Sequence, residues 1–172
     1  MDVTSVWVHD TRVSGSLYED GGSRVIRVNE ATTLSDMVTR VINESIKVQT
    51  RFLLKILAHG TGGQGILLCQ EGLDLNTVHA LSHWRQVQNF SMIWLIACKA
   101  ADQALGSTLC SRIAQISGKH LWASPALQKG SPGLDLLGLT LKYIDPGRWE
   151  GPIYHYQGGT GALVGRTLNP KI

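Results

Sequence analysis

At 172 residues, 43% hydrophobic and 17% charged, the chain has the composition of a globular protein and not of a disordered one. Residues 1–172 make one domain, long enough to bury about 70% of the unfolded surface without disulfide or metal staples. A net charge of +3 carried by scattered basic residues argues against nucleic acid, since Arg24, Arg27 and Arg40 form no continuous stripe. No apolar run approaches 18 residues, and Met1–Ser5 lacks a basic stretch ahead of an apolar one, so neither a membrane segment nor an export signal is expected. Three cysteines without paired spacing (Cys69, Cys98, Cys110) fit a reducing, cytoplasmic setting better than a disulfide framework.

In chain order, Val3 to Val8 reads as a strand that ends at His9-Asp10, and Arg24 to Asn29 as a second. Leu34, Met37, Val38, Val41, Ile42 and Ile46 recur at helical spacing behind Thr33, with Asp36 placed as in a capping box. Phe52 to Ala58 is an apolar run that ends at His59-Gly60. Gly60 to Gly65 reads as a loop, and Ile66 to Cys69 as the second strand of a short hairpin. Asn76 is placed to cap a helix carrying Val78, Leu81 and Trp84. Ser91 to Ala97 is another apolar run, closed by Cys98.

Leu105, Leu109, Ile113 and Ile116 then mark a helix stopped by Gly118, and His120 to Ala123 a fifth strand of the main sheet. Residues 130–133 read as a Gly/Pro-containing loop. Leu137 to Tyr143 and Ile153 to Tyr156 suggest a hairpin around Asp145-Pro146-Gly147, and the Gly-rich tail reads as turns. The order predicts an α/β fold with a mainly parallel sheet flanked by helices and a C-terminal β-hairpin.

Reactive groups in such sheets collect at the carboxyl ends of parallel strands. Two buried strands that end in His59 and Cys98 therefore put a base and a nucleophile in one crevice if the strands are neighbours. A cysteine that only packs has no need of a strand exit followed by Lys99, Ala100, Ala101 and Asp102, although free cysteines are often core residues. Lys99 would favour the thiolate if its side chain turned inward. Gly60, without a Cβ, lets a substrate carbonyl approach its backbone N–H, and the amides of Gly60 and Cys98 supply two donors for an oxyanion.

An apolar strand ending in His-Gly, followed about forty residues later by one ending in Ala-Cys, resembles the caspase-like clan of cysteine peptidases. The matching residues are Ile56-Leu-Ala-His59-Gly60 and Trp94-Leu-Ile-Ala97-Cys98, and the order of elements from Val3 to about Ala126 is similar to the minimal bacterial members of that clan. The Gln-Ala or Glu-Ala that precedes the cysteine in caspases is absent here. The resemblance implies a cysteine endopeptidase in which Cys98 attacks a peptide carbonyl and His59 protonates the leaving amine. Gly60 and Cys98 would hold the oxyanion, and the partner would be a protein or peptide substrate, with no cofactor. Asp10 and Arg12, just past the first strand, are the candidates for substrate contact. Asp10 facing the pocket would favour a basic residue before the cut, and Arg12 an acidic one.

A minimal domain of this kind would use an activating partner, a ligand or self-cleavage to order its loops. Segments 11–23 and 128–135 are the regions for processing, with Arg12, Arg24 and Lys129 as sites if cleavage follows a basic residue. The alternative is a non-catalytic caspase-like domain that binds a partner protein.

Two further motifs compete. Gly60-Thr-Gly-Gly-Gln-Gly65 matches the dinucleotide fingerprint as a string, but that fingerprint requires a helix opening at the glycines, and Ile66–Cys69 reads as strand. His79 and His83 are spaced like zinc ligands of a metallopeptidase helix, but Ala80 stands where that motif has its general-base Glu, so no metal is expected. Cys69 and Cys110 read as packing residues, and Trp7, Trp84, Trp94 and Trp122 as core.

Overall fold

A computed structural model describes residues 4–13, 16–17, 24–48, 50–62, 64–128, 131–134, 140–144 and 151–168. The main sheet is built from β1 (Thr4–Asp10), β3 (Arg24–Val28), β4 (Phe52–Leu57), β7 (Met92–Ile96), β8 (His120–Ala123), β11 (Pro152–Tyr156) and β12 (Leu163–Leu168). Short strands β2 (Ser16–Leu17), β5 (His59–Gly60), β6 (Ile66–Leu67), β9 (Ser131–Leu134) and β10 (Thr140–Ile144) form two smaller sheets. The seven strands lie in the order β12-β11-β8-β7-β4-β1-β3. Those from β8 to β3 pair in parallel, and β11 and β12 are antiparallel. The protein is thus α/β, with a mainly parallel sheet and a C-terminal hairpin.

Alternation along the strands divides the sheet into two faces. Val6, Val8, Leu54, Ile56, Ile93 and Leu95 belong to the larger core, together with buried apolar residues of both α-helices, α1 (Leu34–Lys47) and α2 (Gln103–Ser117). Trp7, Leu57, Trp94 and Ile96 belong to a second cluster, which contains no helix residue among the described residues. On that second face a single register row runs Trp7–Lys55–Trp94–Trp122–His155 across five strands. The Trp94 and Trp122 rings stack at 5.2 Å, and Lys55 Nζ sits 4.8 Å and 5.2 Å from the centroids of Trp7 and Trp94. The long lysine stem thereby packs between two indoles, with its charge over their electron-rich faces.

Local signals set the helix ends. Thr33 Oγ1 accepts from Asp36 N at 3.0 Å to open α1, and Gly118, at φ +70°, closes α2 in the left-handed conformation that glycine adopts without cost.

Several expected elements differ. Val78–Gln86 is a 3₁₀ helix, not an α-helix, and Asn76 does not cap it. Asp74 Oδ1 accepts from the amides of both Asn76 and Thr77 instead, one turn earlier. At three residues per turn, His79 and His83 no longer share a face, and His79 Nδ1 is bonded to the Asn76 carbonyl. Among the described residues no group of three or more His, Cys, Asp or Glu is arranged to hold a metal ion.

The expected loop at 130–133 is largely strand β9, which pairs antiparallel with β10. Among the described residues, Ile153–Tyr156 does not pair with the segment ending at Tyr143. β11 pairs instead with β8 and with β12, so the tail read as turns supplies an edge strand. Leu163 to Leu168 carries two β-branched residues amid Gly and Arg, and a single-stranded pattern this weak becomes a strand only when a partner edge is offered. The expected turn at Asp145-Pro146-Gly147 falls outside the described residues, as do Lys129 and most of segment 11–23. Among the described residues no helix is long and apolar enough to cross a membrane.

Candidate active site

Strands β4 and β7 are parallel neighbours, with Leu57 opposite Ile96. The pairing continues past both strand ends, because Ala58 N donates to the Ile96 carbonyl at 3.2 Å. His59 and Cys98 therefore leave the sheet side by side at its carboxyl edge, where the sequence pattern located them. The closest approach is between backbones. A β-carbon at position 60 would lie 2.8 Å from the Cys98 carbonyl carbon and closer still to its oxygen, so only glycine fits beside this cysteine. Beside the access for a substrate carbonyl expected of Gly60, the fold imposes a constraint of its own, the packing of one strand exit against the other.

His59 is exposed, and its Nε2 lies 3.0 Å from the Arg12 carbonyl oxygen. A carbonyl only accepts, so Nε2 carries the proton and Nδ1 is left as the basic nitrogen of the neutral ring. The same turn after β1 offers the next carbonyl, that of Val13, to Nε2 of the buried His9 at 3.0 Å.

Asp10 holds that turn in place. Its carboxylate is fully buried and accepts from Arg12 Nε (2.8 Å), Arg12 Nη2 (2.6 Å), the Arg12 amide (3.1 Å) and the Cys69 amide (3.0 Å). Arg12 Nη2 also donates to the Cys69 carbonyl at 2.9 Å. Burial alone would push the Asp10 carboxyl up, but the hydrogen bonds from Arg12 and Cys69 outweigh it and hold the carboxyl below its ordinary value. Asp10 and Arg12 are therefore each other's partners. The Asp10 carboxylate is enclosed by that pairing, while the Arg12 side chain stays partly exposed.

Cys98 is partly exposed, and its Sγ lies 3.4 Å from the Gln128 carbonyl oxygen, as donor. Among the described residues no hydrogen bond joins it to His59, so in this state the pair is juxtaposed and not bonded. The segment after β8 is stitched to the residues that follow Cys98: Lys99 N donates to the Ala126 carbonyl (2.8 Å) and Ala101 N to the Ser124 carbonyl (3.1 Å). Lys99 takes φ +52°, a conformation costing a non-glycine residue about 1–2 kcal/mol. Its Nζ sits 3.9 Å from Asp102 Oδ2, toward the start of α2. Cys69, at φ +60°, is the residue that ties Asp10 to Arg12. Of three described non-glycine residues with positive φ, one follows the cysteine directly and another braces the histidine's support. Such strain gathers where the surrounding structure must hold a site.

Cys69 and Cys110 are buried, as expected of packing residues. Burial first, and then the charge of Asp10, push the Cys69 thiol up to about 12, and burial alone raises that of Cys110. The glycine-rich stretch does not open a helix. Thr61 N donates to the Gly65 carbonyl at 3.1 Å, and β5 and β6 pair as a hairpin. The geometry a pyrophosphate site requires is absent there.

Sequence reasoning missed the carbonyls of Arg12 and Gln128. Backbone acceptors carry no residue signature, so no pattern could have singled them out. Comparison with models of known protein families, with curated proteins and with solved structures gives no match to this chain.

Proposed function

We propose that this protein is a cysteine peptidase of the caspase-like type, working through Cys98 and His59. The observation that carries the reading is the contact of Gly60 with the Cys98 backbone, which sets a histidine and a partly exposed thiol side by side at the carboxyl ends of two adjacent parallel strands.

In the proposed reaction the Cys98 thiol gives its proton to His59 Nδ1, and Sγ adds to a peptide carbonyl carbon. The amides of Gly60 and Cys98 stabilise the oxyanion. His59 then returns the proton to the leaving amine as the C–N bond breaks, and water hydrolyses the thioester. Arg12 contributes its carbonyl, which keeps Nε2 protonated and the ring oriented throughout. The bond of Sγ to the Gln128 carbonyl describes a resting thiol that a substrate, or an activating partner that moves the 124–128 segment, would release.

That same bond is the observation favouring a second reading, a non-catalytic domain that binds a partner protein. Incubating the protein with a proteome-derived peptide library and reading new termini by mass spectrometry separates the two. Termini produced by wild type and lost in both Cys98→Ala and His59→Ala support the peptidase. Termini that persist in Cys98→Ala, or that never form even though Cys98 is the thiol that alkylates in the folded protein, overturn it for the isolated domain.

A further inference from the structure

Among the described residues, two pairs of opposite charges flank the candidate dyad. Asp10 is fully buried against Arg12, and the Arg12 guanidinium reaches both its carboxylate oxygens and the Cys69 carbonyl. Lys99 and Asp102, just past Cys98 in the chain, approach each other to 3.9 Å. Exposed apolar side chains stand there as well. Leu67 is paired with His59 across the β5–β6 ribbon, so the two side chains share a face, and Leu67 is 45% exposed. Leu127 precedes the residue whose carbonyl takes the Cys98 thiol and is 49% exposed. Two large exposed leucines, one beside the base and one beside the nucleophile, are the contacts that a bound side chain would cover.

We infer that the substrate residue next to the cleaved bond is uncharged and apolar, held by Leu67 and Leu127, with Arg12 and Asp10 serving the site only as a neutral clamp. This rests on the peptidase reading. Among the described residues the charges nearest His59 and Cys98, Asp10 with Arg12 and Lys99 with Asp102, are paired with each other, so a charged side chain entering there would give up its hydration for groups already engaged, whereas an aliphatic one would cover exposed leucine.

The test uses three peptidyl acyloxymethyl ketones that differ only in the residue next to the warhead: Leu, Asp or Arg. In each, Sγ bonds to the methylene carbon, the C–O bond breaks, a carboxylate leaves and the thiol proton passes to His59 or solvent. Intact mass reports the adduct. The Leu probe is expected to label Cys98 about tenfold faster than either charged probe, and Leu67→Asp with Leu127→Asp to reverse the order in favour of the Arg probe. Both leucines are exposed, so these variants keep the fold. Faster labelling of wild type by the Asp or Arg probe would overturn the inference and leave the peptidase intact. Labelling by none of the three, with iodoacetamide still alkylating Cys98, would overturn both.

Discussion

The α-carbon of Gly60 faces the carbonyl of Cys98 so closely that a β-carbon there would meet backbone and not the tip of a flexible side chain. The approach of β4 and β7 beyond their last paired residues, and with it the spacing of His59 from Cys98, depends on that missing atom.

Gly60→Ala is accordingly expected to force the two strand exits apart, costing about 1–3 kcal/mol of stability by overpacking and most of the activity. Gly62→Ala is the control. Its glycine has open space around it but φ +72°, so it should cost about 1 kcal/mol and leave the dyad aligned. Thermal melting beside peptide cleavage distinguishes the two. Equal activity losses for both variants would show that the Gly60–Cys98 contact does not set the proposed dyad.

Asp10→Asn removes the charge that binds Arg12 on three nitrogens and should cost about 2–3 kcal/mol at neutral pH, somewhat less than for a fully buried pair because Arg12 is partly exposed. The folded-state carboxyl is held below its ordinary value, so the unfolded chain binds more protons as pH drops. The contribution of Asp10 is therefore complete above about pH 4 and lost as pH falls through the lower folded value. Wild type should lose stability steeply below about pH 4, and Asp10→Asn should flatten that slope. Parallel acid denaturation curves for the two proteins would refute the clamp.

Of the three cysteines, Cys98 alone is expected to react with iodoacetamide in the folded protein. Cys69 and Cys110 are buried, and their thiols are shifted upward. Native mass spectrometry should count one adduct per chain and urea-unfolded protein three. Cys98→Ala should take up none until it unfolds. Native labelling at Cys69 would mean that the hairpin bracing Arg12 opens readily.

His59→Ala should reduce cleavage by about a thousandfold and change stability by less than about 0.5 kcal/mol, because the ring is exposed and its hydrogen bond is to a backbone carbonyl at the surface. A large drop in melting temperature would instead identify His59 as a structural residue.

Much of this architecture is legible in the chain because its signals are local. Thr33 with Asp36, and Gly118, mark helix ends through bonds that span three or four residues. The runs that end at His59 and Cys98 are apolar enough to be strands in any α/β arrangement. The histidine and cysteine, and the α/β class with its parallel sheet, follow from those runs. Less legible was the segment around Val78, where an apolar spacing compatible with an α-helix is wound as a 3₁₀ helix, since Asp74 and Thr77 secure its first turn. The partner of Ile153–Tyr156 was misread for a related reason. Strand pairing is a choice between edges, and β8 and β12 outcompete the nearer segment once the sheet has formed.

Residue order alone thus established which side chains stand at the ends of the two central strands, because alternation and chain length carry that information within each segment. The neutralising of Asp10 by Arg12, the seating of His59 on the Arg12 carbonyl, the resting bond of Cys98 to Gln128 and the exposure of Leu67 and Leu127 were settled by folding. The Asp10–Arg12 pair is close in the chain, but its burial depends on Cys69, 59 positions away, and the other contacts use backbone carbonyls common to every residue, so neither kind leaves a mark in local sequence.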